Sequence, residues 1–334
     1  MAYTANRAFV FEDYVWSHLP FPYTLYDFAL RPVRIPLNAF ISGPTAGGPM
    51  PHSIAVSAEF WETICPPERR RVISSQDGPD NAEGQIIIEW WVDRLKNVQD
   101  ECVEIVSSQQ VIFDRRYAHL TSWELTFQTI FSFFDSDRII SLWPGLSSSP
   151  ILTDYLWSPL VQSAVSRNFA VLQPASAKLL YSLNSTLSGL VAVHLRRGDY
   201  RRHCPRLAGW HSTYNGLNQY PSLPDRFDPT PYEDDREARD AYYMRHCLPT
   251  VEQIVEKLRT VRTENPGLHR VYVLTNAWSW WLSGLKSALQ KDGWEDLKSS
   301  LDIQLDAAQI HVAMAVDMAI AEKAEVFVGN GVRA

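Results

Sequence analysis

The sequence predicts an α/β fold in which helices cover both faces of a parallel sheet. Three observations carry that reading. Apolar, β-branched runs recur as GLVAVHL at 189–195, RVYVL at 270–274 and EVFV at 325–328, and such runs suit strands buried on both faces. Stretches of helical period separate them, at 249–261, 277–290 and 307–324, and strand–helix alternation argues for crossover connections. The chain has 334 residues, which sets a prior of about two domains. The boundary is expected within residues 185–190, giving an N-terminal unit of residues 1–187 and a C-terminal unit of residues 188–334.

In chain order, residues 8–11 (AFVF) read as the first strand, and residues 40–51, rich in Gly, Pro, Ser and Thr, as a loop. Residues 85–98 (QIIIEWWVDRLKNV) read as an amphipathic helix with Ile88, Trp91 and Leu95 on one face. Short strands are expected at 102–105, 111–113 and 139–143, with a helix at 120–134. Residues 158–187 carry one or two helices broken at Pro174. After the strand at 189–195, the polar insert at 205–240 reads as a long loop, and loops of that length are usually functional or disordered. A third, short strand is expected around Ile303. The helix at 307–324 is apolar nearly all round, so burial is expected. Trp278, Trp280 and Trp281 are expected to pack their helix against the sheet, with sugar stacking as the sharper alternative.

Composition narrows the function. Lys plus Arg is 31 against 38 for Asp plus Glu, a net charge of −7. That argues against a general nucleic-acid binder and leaves room for a local phosphate site. Hydrophobic residues at 46% and charged residues at 21% exclude a disordered chain. No apolar window is long enough for a transmembrane helix, and the opening MAYTANRAFVFEDY lacks the basic and apolar regions of a secretory signal. The cysteines Cys65, Cys102, Cys204 and Cys247 are too few for a disulfide scaffold and lack zinc spacing, so no metal site is expected. Cys204 and Cys247 flank the insert. In an oxidising compartment they would close it as a disulfide; otherwise they are two unrelated buried thiols.

The strongest chemical signal is His194-Leu195-Arg196-Arg197-Gly198-Asp199, directly after a buried strand. In open α/β sheets ligands bind beyond the carboxyl ends of strands. Two adjacent arginines there are costly to bury unless an anion pairs with them, and the arginine fork matches a phosphate in bidentate fashion. Gly198 permits the turn, and Asp199 would orient one guanidinium. The competing reading is a structural Arg–carboxylate network between the two units. Arg201, Arg202, His203 and Arg206 read as a solvated face. Asp317, on the apolar helix with Ile310, Met314 and Ala321, needs donors if buried: a guanine edge offers two N–H groups, and a core arginine offers a salt bridge. Thr275-Asn276 ends a strand, where helix capping competes with ligand contact. Gly329-Asn330-Gly331 is either a simple turn or a loop whose N–H groups face a phosphate.

Taken together, VAVHLRRGD, the downstream VYVLTN, the acidic residue on a buried helix and VFVGN resemble the GDP-fucose-dependent O-fucosyltransferase family, most closely its divergent fungal members. Residues 8–16 (AFVFEDYVW), 34–47 (RIPLNAFISGPTAG) and 90–106 (WWVDRLKNVQDECVEIV) are similar to the same family, so the resemblance spans most of the chain. It implies a GT-B-like fold of two Rossmann-like halves with a cleft between them. It implies inverting, metal-independent transfer of fucose from GDP-fucose to a hydroxyl of a protein or glycan acceptor, with no cofactor. By motif, Arg196 matches the catalytic position. His194, Arg196, Arg197, Asp317, Asn276, Gly329 and Asn330 match the donor-binding edge, with Thr275 beside them. The family's opening Gly-rich loop and closing helix have no counterpart here, so the chain is expected to be incomplete at both termini. Glu12 and Asp13 are then the acceptor-side candidates. The alternative is a degenerate relative that binds a nucleotide or a partner without catalysis. The family acts in the endoplasmic reticulum or Golgi lumen.

Overall fold

The computed structural model describes residues 1–17, 20–26, 29–48, 55–79, 82–106, 137–173, 186–198, 200–214, 216–223 and 226–329. The expected elements at 111–113 and 120–134 lie outside these residues, as do Pro174, Asp199 and Asn330.

The first part is a set of short paired strands and helices. Its strands are β1 (Phe9–Phe11), β2 (Tyr14–Val15), β3 (Tyr23–Tyr26), β4 (Ala29–Pro32), β5 (Arg34–Ile35), β6 (Ile41–Ser42), β7 (Ala55–Ser57), β8 (Arg71–Ser74), β9 (Val103–Val106) and β10 (Leu156–Trp157). β1 pairs with β7 and β8 with β9, both parallel, and β3 and β4 form an antiparallel ribbon. The helices are α1 (Leu37–Phe40), α2 (Ala58–Ile64), α3 (Gly84–Lys96), α4 (Trp143–Ser147), α5 (Pro150–Thr153) and α6 (Pro159–Leu172). In α3 the buried face is Ile87, Trp91 and Leu95. Ile87 takes the place expected for Ile88, because it completes the four-residue spacing. Arg7 closes the end of α3 by donating to the carbonyls of Leu95 (3.0 Å), Val98 (2.5 Å) and Asp100 (2.9 Å).

The strand expected at 139–143 is helical. Asp137–Leu142 form a 3-10 helix that runs into α4, with Pro144 in the first turn of α4. Proline is tolerated there because its missing N–H would have no helical partner, and a short apolar run does not by itself separate strand from helix.

The second part is built on one sheet of four parallel strands: β11 (Leu187–Leu195), β12 (Arg270–Thr275), β13 (Asp296–Ser299) and β14 (Ala324–Gly329), in the order β13-β12-β11-β14. Its helices are α7 (Tyr200–Gly209), α8 (Arg236–Cys247), α9 (Val251–Glu264), α10 (Ser279–Lys291) and α11 (Ala313–Glu322). Alternate residues of the central strands face opposite cores, as the two-residue period of a strand requires. Leu190, Ala192, Tyr272 and Leu274 pack with α6 and α11 through Val161, Phe169, Val316 and Ile320. Val191, Val193, Val271 and Val273 pack with α9 and α10 through Ile254, Leu258, Leu285 and Leu289. Complete burial of such side chains contributes roughly 1.5–3 kcal/mol each. The result is a mixed α/β structure with a doubly covered parallel sheet.

Three expectations in this part are corrected. The third strand is β13, at the sheet edge, and not around Ile303, which follows a 3-10 helix at Ser300–Asp302. The helix expected at 307–324 splits into a 3-10 turn, Gln309–Val312, and the shorter α11. The Asp306 carboxylate accepts from the N–H groups of Ala308 and Gln309 and so favours a tight turn at that start. Burial is one-sided, since Ile310, Met314 and Met318 are exposed. The insert at 205–240 holds the rest of α7, two 3-10 turns at Gly216–Gln219 and Thr230–Tyr232, and the start of α8. Its core is Tyr200, Cys204, Leu207, Tyr214, Tyr243 and Cys247, with Phe227 stacked on Tyr214 at 4.9 Å.

All four cysteines are paired. Cys204 bonds Cys247, as one reading of the insert required, and Cys65 bonds Cys102. The second pair had no signal beyond the count. It joins the end of α2 to the start of β9, two segments brought together by strand pairing.

Candidate functional site

His194 lies where β11 is paired on both sides: its register partners are Leu274 on β12 and Gly329 on β14. The chain therefore carries Arg196 and Arg197 to the carboxyl edge of the sheet where the strand order reverses. β12 and β13 lie outward on one side of β11, and β14 returns on the other. The crossover that leaves β11 runs to β12 on one side and the one that leaves β13 returns to β14 on the other, and a switch point of this kind is where open α/β sheets bind ligands.

The neighbouring strand fixes the loop. Asn276, just past β12, accepts through its side-chain carbonyl from the backbone N–H of Arg197 at 2.8 Å and of Gly198 at 3.2 Å. A Cβ on Gly198 would lie 3.1 Å from Asn276 Nδ2, so the close approach favours glycine. Thr275 Oγ1 donates to the Leu195 carbonyl at 2.5 Å and accepts from the Ala277 N–H at 3.1 Å. The expected capping role of Thr275 and Asn276 is not observed. Trp278 holds the cap position of α10 without a side-chain cap bond, because the loop after β11 already engages Asn276.

Both arginines are half-buried. The guanidinium carbon of Arg196 lies 5.3 Å from the Tyr200 ring centroid, and that of Arg197 lies 4.3 Å from the Trp281 ring. Arg197 Nη1 also donates to the Pro249 carbonyl at 2.6 Å. Burial, and after it the charge of Arg201, disfavour the cation on Arg197 and lower its pKa. Among the described residues the partners of Arg197 are a ring and a carbonyl, not a carboxylate. An anion would relieve that cost. Arg201, Arg202 and Arg206 are exposed and His203 half-buried, as a solvated face requires. Trp278 and Trp280 are 58% and 66% exposed, which corrects their expected packing; only Trp281 turns inward, under Arg197.

Asp317 is half-buried on α11. Tyr272 donates its hydroxyl to Oδ1 at 2.5 Å, and Ser300 donates to Oδ2 at 2.7 Å. The core arginine considered as a partner is not among these contacts; two neutral hydroxyls hold the carboxylate. Burial pushes its pKa up to about 6 against the opposing pull of both hydrogen bonds. Burial and the adjacent Asp317 drive the Tyr272 hydroxyl upward. Ser300 Oγ also accepts from the Thr275 N–H at 3.2 Å, so one hydrogen-bonded line runs from Asp317 to the strand end beside Asn276. Sequence reading missed Tyr272 and Ser300. Strand alternation places Tyr272 on the face that meets α11, which was a usable signal; Ser300 offered none.

Gly329 is exposed at the end of β14. Glu12 is exposed and Asp13 half-buried just after β1, and no described hydrogen bond brings either to residues 194–198. Among the described residues no helix is long and apolar enough to cross a membrane.

No curated protein matches the chain. A family model does: the one described as GDP-fucose protein O-fucosyltransferase matches residues 113–332, well over half of the chain. The match takes in the whole parallel sheet, the arginine loop and Asp317, and on it the chain belongs to the GDP-fucose protein O-fucosyltransferase family.

Proposed function

We propose that the protein transfers fucose from GDP-fucose to a hydroxyl of a protein or glycan acceptor, with inversion and without a metal ion. The observation that carries this reading is the pair Arg196 and Arg197 at the switch-point edge of the sheet, in a chain whose family model names the donor. In the proposed architecture, of GT-B kind, residues 188–334 form the donor unit and residues 1–187 the acceptor unit. The diphosphate lies on the 194–198 loop, and Asp317 faces the base.

As the bond between the sugar C1 and the diphosphate oxygen breaks, the electron pair stays on the β-phosphate and positive character grows on the sugar. The acceptor oxygen forms the new bond to C1 from the opposite face and passes its proton to solvent water. Arg196 stabilises the departing charge directly, and Arg197 supports it from its seat between Trp281 and the Pro249 carbonyl. Two preorganised guanidiniums can supply the charge compensation that a divalent ion supplies elsewhere. The two disulfides suit an oxidising compartment, in keeping with action in the secretory lumen.

The test is a GDP titration followed by thermal unfolding, together with GDP release from GDP-fucose in the presence of EDTA. Stabilisation by GDP and not by inorganic phosphate is expected. Arg196→Ala should lower turnover about a hundredfold, the usual effect of losing one such donor, and Arg196→Lys should not restore it. Full turnover in either variant removes Arg196 from its role.

A further inference from the structure

We propose that Tyr200 and the Cys204–Cys247 bridge are positioning residues for Arg196 and Arg197, because the bridge locks together the two chain segments on which the guanidiniums rest. The effect on transfer rests on the proposed donor role of the pair; the positioning itself does not.

Tyr200 opens α7 and carries the ring beside Arg196. Cys204 follows one helical turn later on the same face. Cys247 closes α8, and two residues beyond it Pro249 offers the carbonyl that accepts from Arg197 Nη1 at 2.6 Å. The bridge, with its Cα atoms 5.8 Å apart, thus ties the seat of Arg196 to the seat of Arg197. Along the chain the two cysteines are separated by 43 residues, the whole polar insert. Tyr200, Cys204, Tyr243 and Cys247 are all buried in one apolar cluster at its base. The next residue after Pro249, Thr250, opens α9 with a reciprocal capping box to Gln253, which fixes the far side of the same seat.

An arginine has four side-chain torsions, and a charge-stabilising site works only if its donors are aimed before the charge develops. A ring on one segment and a carbonyl on another, with the Trp281 ring under Arg197, hold the pair in one aim while the segments keep their spacing. The bridge sets that spacing independently of the insert's outer, polar residues.

Nuclear magnetic resonance of the Nε–Hε groups of Arg196 and Arg197, with GDP calorimetry, tests this on the whole chain. The variants are Cys204→Ala/Cys247→Ala, Tyr200→Leu and Tyr200→Phe. In the double cysteine variant both guanidinium signals should broaden and move from their ring-shifted positions beside Tyr200 and Trp281. In Tyr200→Leu, where the Arg196 shift goes with the ring itself, the readout is broadening of both signals. The Kd for GDP should rise about tenfold or more, in line with the cost of small misplacements, while the amide signals of β11 and β12 persist. Tyr200→Phe keeps the ring and should restore both readouts. Unchanged guanidinium signals in the double cysteine variant and in Tyr200→Leu overturn the proposal, whatever GDP does. If the double variant does not fold, the Arg197 signal decides, since it rests on Trp281 and the Pro249 carbonyl and not on Tyr200. It should broaden in Tyr200→Leu and stay sharp in Tyr200→Phe, and a sharp signal in both overturns the proposal. A wild-type protein that ignores GDP while its guanidinium signals still depend on the bridge overturns the donor reading and upholds the positioning.

Discussion

The side-chain carbonyl of Asn276 receives the backbone N–H groups of both Arg197 and Gly198, at 2.8 and 3.2 Å. The end of β12 thereby shapes the loop that leaves β11. Asn276→Ala should cost about 1–2 kcal/mol of stability, the usual effect of removing a polar partner, and should weaken GDP binding by more than that stability loss explains. Asn276→Asp keeps the acceptor and should regain stability. Its added charge competes for the arginines, so GDP affinity should stay low. Urea midpoints beside calorimetric titrations separate the two effects.

Asp317 makes stability depend on pH in an unusual direction. Burial holds its pKa at about 6, above the 3.8 of an ordinary aspartate, so the folded chain binds the extra proton. The stabilisation is fully present below about pH 4 and is lost as pH rises through about 6, by the linkage between proton uptake and folding. Asp317→Asn should remove this slope and stabilise the protein at pH 7 by about 1–2 kcal/mol, because the buried charge disappears while Oδ1 still accepts from Tyr272. The same change should weaken GDP binding if the carboxylate meets the base. Chemical unfolding at pH 5 and pH 7.5, in both proteins, reads the slope directly.

Arg270 is 1% exposed at the start of β12. It donates to the carbonyls of Leu172 and Ser188 and to Asp296, the last at 3.3 Å. The residue thus joins the end of α6 to the foot of the sheet. Arg270→Ala should destabilise by about 3–5 kcal/mol, since it strands the partner groups in the interior. The m-value should stay unchanged if the fold persists.

The Cys65–Cys102 bridge spans 37 residues. Closing a loop of that length stabilises by about 4 kcal/mol in the chain-entropy treatment. Cys65→Ala/Cys102→Ala should therefore lower the thermal midpoint substantially and leave GDP affinity unaltered, in contrast to the Cys204 and Cys247 pair. Midpoints and affinities measured on the two double variants side by side check the contrast.

The parts of the fold that were legible in the sequence share one physical cause. β11, β12 and β14 are strands carrying β-branched, apolar runs, and β11 and β12 lie between helical layers on both faces, so they advertise themselves whatever their neighbours. β13 reads DLKS and buries only Ser299 fully, so it lacks the apolar run that β14 keeps at the opposite edge of the sheet. The segment IISLW at 139–143 looked like a strand because period alone does not distinguish short apolar runs; Pro144 decided for a helix. The insert looked like a loop because its polar residues were visible and its bridge was not. At the site, the arginine loop was legible from its place after a strand. Capping and ligand contact stayed open for Asn276, and its hold on the loop went unseen, because its partners Arg197 and Gly198 lie 79 and 78 residues away. Ser300 was invisible for the same reason, as its partner Asp317 is 17 residues on.

The 3.1 Å between Asn276 and the space a Cβ would take at Gly198 has a consequence for reading inactive variants. In a saturation library screened for folding and for GDP release, a side chain at position 198 should press Asn276 back by a few tenths of an ångström and so disturb its bonds to the Arg197 and Gly198 N–H groups, with a graded loss at both screens. Neutral replacements at positions 196 and 197 should pass the folding screen and fall only at GDP release. On the proposed donor role, the glycine would mark the fit of the loop against Asn276 and the arginines the reaction itself. A variant that keeps the first and loses the second would retain the architecture after the reaction had gone.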